Sequence, residues 1–219
     1  MSSRRLGPIC GVVFFVLIVA SLIWNGDSPM GDDSSAKIVS YWRDHHDRQL
    51  WSIAPAMVSL VFLAGFVAAL RDRIRAAETK GSLWSNAVLI RGAAAIAAIL
   101  AAAWATVATA VAADNDRGAE VLLALNALNA DSAFVFIPPF GIIALAVAGA
   151  TLSLGALPRW LGWAALVLGV VMFVPPPAGF IAFALMGLWI VAVSAVMQRP
   201  RAAPTDCHLK GTEEERWRL

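Results

Sequence analysis

The polar residues with the clearest chemical potential are four in a row: Asp44, His45, His46 and Asp47. Imidazole nitrogens and carboxylate oxygens both bind metal ions, so this run could supply part of a metal site. Consecutive residues of a helix point about 100° apart, however, and His45 and His46 could not both reach one ion without help. Because an imidazole changes its charge near neutral pH, the pair could also sense pH.

Besides pH sensing, two interpretations of the run remain open. A metal site would combine His46 and Asp47 with a further carboxylate, Asp114 or Asp116, from another segment of the chain. Alternatively, the run is the solvated face of a helix, in which Arg43 and Asp47 form an ion pair four residues apart. The second interpretation is favoured, and the sequence predicts no metal ion or other cofactor.

Arg91 is the one strongly basic residue that falls inside an apolar stretch. It could contact an anionic lipid headgroup or an anionic substrate. Because it lies within two turns of the start of that stretch, its long side chain can also extend back to the headgroups beside Asn86. The sequence favours this second position for Arg91.

The sequence lacks the residues that several kinds of catalytic and transport site require. Cys10 and Cys207 form no Cys-x-x-Cys motif, which disfavours thiol oxidoreductases and thiolate zinc sites. No Asp, Glu, Lys or His lies in the middle of an apolar stretch, which disfavours ion-coupled transport. Gly-x-Ser-x-Gly, His-Glu-x-x-His and phosphate-binding glycine loops are absent as well. The sequence therefore favours a non-enzymatic protein.

The composition indicates a membrane protein. Of 219 residues, 59% are hydrophobic and 15% are charged, and the mean hydropathy is +0.71. Soluble domains have about 45–50% apolar and about 25% charged residues, and a chain of this size could not bury the excess. A formal charge of +2 without a basic stripe gives no reason to expect a nucleic-acid partner. The predicted partner is the lipid bilayer.

Six apolar stretches of about membrane length carry most of the hydrophobic residues. The predicted fold is therefore all-α: a polytopic membrane protein with a six-transmembrane-helix bundle. Residues 1–6 are predicted to be a cytoplasmic N-terminus and residues 198–219 a disordered cytoplasmic tail. The Ala-rich third stretch is predicted at the centre of the bundle. The stretches are 7–24, 50–70, 85–113, 132–157, 161–174 and 178–197.

Two polar segments between these stretches have helical periodicity. Residues 34–49 and 117–129 are predicted to form short extracytoplasmic amphipathic helices. In the second of them, Leu122 and Leu128 would lie on the apolar face and Asn126 on the polar face.

The basic residues predict the orientation. If the six stretches cross the membrane in turn, 13 of the 17 Lys and Arg residues fall on the side of the two termini. Basic residues are retained in the cytoplasm, so both termini are predicted to be cytoplasmic in a cell-membrane protein. The four on the opposite side are Lys37, Arg43, Arg48 and Arg117.

The turn Leu-Pro-Arg-Trp-Leu-Gly-Trp at 157–163, followed by the Leu-Trp-Ile-Val run at 188–191, resembles a group of small bacterial membrane proteins. The spacing of Tyr41 and His45 before the second stretch and the prolines of the fourth agree with that pattern. The group consists of uncharacterised, DUF4386-like, multi-pass proteins of high-GC bacteria. The resemblance implies an integral membrane topology, and it implies no activity or site residues.

The sequence leaves three functions open. The favoured one is a non-enzymatic accessory or scaffold role, with a membrane-protein partner or a second copy of the chain. The second is a passive channel or facilitator for a small neutral solute, which would pass between the second, third and fourth stretches. The third is a metal sensor or metal-dependent membrane enzyme that uses the run from Asp44 to Asp47.

Overall fold

The computed structural model describes residues 3–26, 28–79, 81–174 and 177–198. These residues form seven α-helices and, within the described ranges, no strand. Each of the six apolar stretches overlaps one helix, and the remaining helix lies in the second polar segment. The predicted disordered tail lies outside the described residues, except for Gln198. The helices are α1 (Ser3–Asn25), α2 (Ser35–Arg75), α3 (Leu83–Asp114), α4 (Ala119–Ala130), α5 (Ala133–Leu154), α6 (Arg159–Val171) and α7 (Ala178–Gln198).

Five helical stretches of the described chain are long and apolar enough to cross a membrane. Four of them are α1 from Leu6, α2, α3 and α7, and the fifth is the stretch Ala119–Leu154, which combines α4 and α5. Helix α6 is equally apolar, but it has only 13 residues. The protein is therefore an all-helical membrane protein.

Helix α2 joins the first predicted amphipathic helix to the second apolar stretch without a break. Its 41 residues make it about 60 Å long at about 1.5 Å per residue, roughly twice the thickness of a bilayer's hydrocarbon core. Pro55 lies within it. The N-terminal third of α2 therefore extends past the bundle and stands beside α4.

Successive membrane-length helices pack in antiparallel directions, and both described ends of the chain lie at the same end of the bundle. Gly11 of α1 contacts Ser194 of α7, and Phe15 of α1 contacts Gly187, earlier in α7. The ends of α1 and α7 that lead to the termini are therefore neighbours. The connections of α2 to α3 and of α5 to α6 lie at that end as well.

Helix α5, rather than the Ala-rich α3, is the most buried part of the bundle. In the apolar window of the stretch Ala119–Leu154, 56% of the residues are buried, against 28% in the window of α3. The prediction that the third stretch lies at the centre was wrong. Alanines allow close packing along one face of α3, but Ile90 and Trp104 on its other faces are 69% and 70% exposed.

A second, smaller core lies beyond the bundle. Residues 35–49 of α2, residues 110–116 and helix α4 pack around Ile38, Trp42 and Leu122, which are nearly or completely buried. We call this unit the cap. The face that α4 turns inward differs from the predicted one: Asn126 is 1% exposed, whereas Leu128 is 58% exposed.

Candidate functional site

The run from Asp44 to Asp47 lies on the surface of the cap, and His46 faces two carboxylates there. Its Nε2 lies 3.5 Å from Asp114 Oδ1 and 3.6 Å from Asp47 Oδ1. Its Nδ1 lies 2.9 Å from the carbonyl oxygen of Arg43, and this pairing leaves Nε2 directed at the carboxylates. The contact becomes an ion pair only when the imidazole is protonated.

His45 has a different set of neighbours from His46. Its Nδ1 lies 3.0 Å from the carbonyl oxygen of Tyr41, and its ring stacks on the Tyr41 ring with centroids 4.6 Å apart. Gln49, which is completely buried, donates from Nε2 to the Tyr41 hydroxyl (2.7 Å) and to the carbonyl oxygen of Asn25 (2.9 Å). His45 therefore belongs to the packing between α2 and the end of α1.

The predicted ion pair between Arg43 and Asp47 does not form. Arg43 Nη2 instead donates to Asp116 Oδ1 at 2.7 Å, across the cap. Asp116 has a left-handed backbone with φ of 48°, which Asp and Asn adopt more readily than most residues. Both side chains are well exposed, so the pair contributes at most about 1 kcal/mol to stability.

Among the described residues, no group of three or more His, Cys, Asp or Glu side chains is arranged to hold a metal ion. His46, Asp47 and Asp114 approach one another, but Asp47 is 85% exposed and Asp114 is 61% exposed. A structural zinc site needs four ligands in a fixed tetrahedral arrangement. The cluster therefore gives no support to a metal centre, and it is better described as a polar contact between α2 and the end of α3.

Arg91 lies on α3 and is half-buried. The preceding turns carry Asn86, whose Nδ2 donates to the Ser82 hydroxyl at 2.9 Å. The neighbouring Gly92 packs directly on Val67 of α2, which fixes this face of α3 against the bundle. The geometry is compatible with the predicted extension of Arg91 toward lipid headgroups.

Sequence reasoning missed two polar contacts of α4, one within the cap and one between the cap and the bundle. The indole N–H of Trp42 donates to Asn126 Oδ1 at 2.8 Å, and both residues are buried. The Thr106 hydroxyl donates to Asn129 Oδ1 at 2.6 Å. The signal that could have revealed them is the pair of asparagines three residues apart on α4, because that spacing places both on one helix face.

A cavity of about 650 Å³ lies between the helices beneath the cap. Its walls come from α1, α2, α3 and α7, from the connection between α1 and α2, and from the junction of α4 with α5. The lining on α3 runs from Ile99 to Thr106, about 10 Å along the helix axis. The cavity thus occupies the half of the bundle nearest the cap.

One end of the cavity is polar and the other is aromatic and aliphatic. The polar end is lined by Asn25, Ser28, Asn129, Asp131 and Ser132. The opposite end is lined by Ile18, Ile53, Ile99, Phe136 and Phe183.

A cluster of phenylalanines closes the apolar end. The ring centroid of Phe183 lies 5.3 Å from that of Phe136 and 5.3 Å from that of Phe140. Phe140 in turn stacks on Phe14 at 6.4 Å, and these last two side chains are 1% and 2% exposed. Among the described residues, Phe136 and Phe183 line the cavity at this end, and Phe140 and Phe14 pack behind them.

The connection that forms one wall of the cavity is fixed by Asp33. Its Oδ2 accepts a hydrogen bond from the backbone N–H of Met30 (2.9 Å), and its Oδ1 accepts one from Lys37 Nζ (2.6 Å). The Lys37 hydrogen bond, helped by that from Met30, lowers the pKa of Asp33 below its ordinary value. Ser34, the residue before α2, makes no capping bond with its side chain. Asp33 thus holds the residues before α2 against the first turn of that helix.

No family model, curated protein or solved structure matches this chain. The resemblance of the turn at 157–163 to DUF4386-like proteins stays a prediction. The geometry of the molecule itself is therefore the basis for a function.

Proposed function

We propose that this chain is a non-enzymatic, multi-pass protein of the cell membrane with an accessory or scaffold role. In this proposal it crosses the bilayer six times, with both termini in the cytoplasm and the cap outside. The observation that carries it is the packed interior of the described helices, where the phenylalanine cluster lies against the apolar end of the cavity and the alanines of α5 are buried. We also propose that the chain is related to the DUF4386-like proteins that its turn at 157–163 resembles.

The sixth crossing depends on α6 and the residues after it. Helix α6 is about 20 Å long, shorter than the roughly 30 Å hydrocarbon core. It runs antiparallel to α5, from the contact of Gly162 with Thr151 to the contact of Gly169 with Gly141. Gly141 lies about two turns inside the cap end of α5, so α6 approaches the cap end of the bundle, where α7 begins.

The distribution of charge supports the proposed orientation. The described basic residues at the end of the bundle near the termini include Arg71, Arg73, Arg75 and Arg159. The cap and its connections carry an excess of acids, including Asp44, Asp47, Asp114, Asp116 and Asp131. Because basic residues are retained in the cytoplasm, this distribution supports a cap on the outer face.

Single-cysteine labelling in cells tests the orientation. In a chain with Cys10 and Cys207 replaced by serine, G118C and A76C form a matched pair of exposed positions at opposite ends. A membrane-impermeant maleimide should label G118C in intact cells and A76C only after permeabilisation. Labelling of A76C, but not of G118C, in intact cells would reverse the proposed topology.

A passive facilitator is the competing function, because the cavity is a space of useful size on one side of the bundle. A flux measurement separates the two roles. Liposomes with the purified protein should take up glycerol at the rate of protein-free liposomes, since the phenylalanine cluster closes the cavity. Uptake that is faster in proportion to the amount of protein would replace the accessory role with a facilitator.

A further inference from the structure

The cavity beneath the cap has the size and polarity of a ligand site. Its volume of about 650 Å³ falls within the roughly 300–1,000 Å³ of small-molecule sites in proteins. Polar residues line the end next to the cap, and aliphatic and aromatic residues line the end next to the phenylalanine cluster. A molecule that fills it must therefore be amphiphilic, with its polar group toward the cap.

The polar end of the cavity includes oxygens that have no partner. The side-chain Oδ1 of Asn25 and the Oγ of Ser28 are buried and make no hydrogen bond to a described residue. A buried oxygen without a partner is unfavourable, and a hydrogen-bond donor would remove that cost. Both residues belong to the wall at the polar end, so this end has unsatisfied hydrogen-bonding capacity.

The charge of the lining excludes one class of head group. Among the described residues that line the cavity, Asp131 is the one charged side chain, and no Lys or Arg lines it. A carboxylate or phosphate there would meet an acid and, among the described lining residues, no base, which is unfavourable. The lining therefore disfavours an anionic head group and suits one that donates hydrogen bonds without a negative charge.

The cavity opens toward the surroundings of the bundle at its cap end. Phe134 of α5 and Phe180 of α7 both border it, and they are 60% and 47% exposed. Apolar side chains exposed at this level of a membrane-spanning bundle contact lipid chains. An amphiphile could therefore enter from the bilayer between α5 and α7 without crossing the cap.

We propose that this cavity binds one uncharged, hydroxyl-bearing amphiphile of the acylglycerol type. The glycerol hydroxyls lie among Asn25, Ser28 and Asp131, and the acyl chain extends toward Phe136 and Phe183. The proposal goes beyond the accessory role, and it depends only on the placement of the bundle in a membrane.

Native mass spectrometry of the full chain in detergent tests the site with monoolein as the probe. Oleate is the matched competitor, because it has the same acyl chain and a carboxylate in place of the glycerol ester. We expect one monoolein per chain, with oleate binding at least about tenfold more weakly because of Asp131. No monoolein at saturating concentration, or equal binding of both, would overturn the proposal.

A pair of substitutions on α3 locates the binding. Ala103 lines the cavity, whereas Ala101 is exposed and does not. A103F should fill the space and reduce monoolein occupancy by about tenfold or more, and A101F should leave it within about twofold of the wild type. Equal occupancy in the two variants would show that monoolein binds elsewhere on the bundle.

A substitution that is expected to increase binding distinguishes an effect on the site from misfolding. D131N removes the acid from the polar end and keeps the size of the side chain. It should raise the binding of oleate relative to monoolein by about threefold or more, which a misfolded chain would not do. An unchanged ratio in D131N would contradict the proposed position of the head group.

Discussion

Glu78 fixes the start of helix α3 with one buried side chain. Its Oε1 accepts hydrogen bonds from the backbone N–H groups of Trp84 (2.9 Å) and Ser85 (3.2 Å), and its Oε2 accepts one from the Ser85 hydroxyl (2.7 Å). The side chain is 4% exposed, and Arg75 Nη1 lies 3.6 Å from Oε2. Burial alone would raise the pKa of Glu78, but the bonds from Ser85 and Trp84 and the charge of Arg75 lower it below its ordinary value.

We predict that Glu78 contributes a pH-dependent part of the stability. Because its pKa is lowered in the folded state, this contribution is complete above the unfolded pKa of about 4.3 and is lost as the pH falls through the folded pKa. E78Q should lower the unfolding free energy by about 1–2 kcal/mol at neutral pH, and the deficit should shrink in acid. Thermal unfolding in detergent as a function of pH measures both effects.

The matched control for Glu78 is Asp72, an exposed acid near the same connection. D72N should keep the wild-type stability and pH profile, because an exposed ion pair contributes little. A constant deficit in E78Q from neutral pH to pH values below about 4 would show that the carboxylate's charge is not what stabilises the start of α3.

The contact partners of individual side chains were harder to predict from the sequence than the positions of the helices. The sequence offered Asp114 or Asp116 as a carboxylate near His46, and it is Asp114 that lies 3.5 Å away. The sequence also placed Asn126 on a solvated face. Hydrophobic periodicity assigns polar residues to the outside, and it fails where a buried Trp needs an acceptor for its indole N–H, as Trp42 does. Arg43 pairs with Asp116, 73 residues away in the sequence, because the end of α3 lies beside α2 in the cap. No local sequence pattern encodes that proximity.

At the scale of elements, two glycines set the distance between α5 and α6. A Cβ on Gly169 would lie 2.9 Å from the carbonyl oxygen of Gly141, and a Cβ on Gly141 would lie 2.9 Å from that of Gly169. The obstruction is backbone, so it cannot be relieved by turning a side chain. The close approach buries Ala144 and Val147 in the centre of α5.

We predict that G169A separates α5 from α6 and destabilises the bundle by about 1–3 kcal/mol. Unfolding in a titration with sodium dodecyl sulfate measures the loss. Gly31 is the control, because a Cβ there would have no atom within 4 Å, and G31A should unfold close to the wild type. A G169A variant as stable as G31A would mean that α6 is free to shift relative to α5.

The positions of the helices followed from the sequence more fully than their packing did. An apolar run of about 20 residues in lipid has to form a helix, since the bilayer offers no partner for its backbone. The relative burial of the helices did not follow from the sequence. Alanine content indicates how closely two helices can approach, and it does not indicate how many neighbours a helix has. Helix α3 accordingly has a smaller share of buried residues than α5.

At the scale of the whole molecule, large apolar side chains point outward along the bundle. Ile23, Val61 and Trp104 are 73%, 72% and 70% exposed, and they lie on α1, α2 and α3. A soluble protein does not expose a continuous apolar surface of this extent. Contact with lipid avoids the cost of exposing these side chains to water. The exposed apolar surface therefore indicates where the membrane lies.

Paired arginine substitutions test that position. Val61 lies in the middle of the predicted second crossing, and Val121, which is 46% exposed, lies on α4 in the cap. An arginine at the centre of a crossing costs about 2.5–3.5 kcal/mol, whereas a substitution on a solvated surface changes stability by about 0.5 kcal/mol or less. V61R should therefore strongly reduce the fraction of a C-terminal fluorescent fusion that remains in alkaline-washed membranes, and V121R should stay near the wild type. Equal retention of both variants would mean that Val61 does not face lipid, and it would remove the physical basis for the proposed crossings.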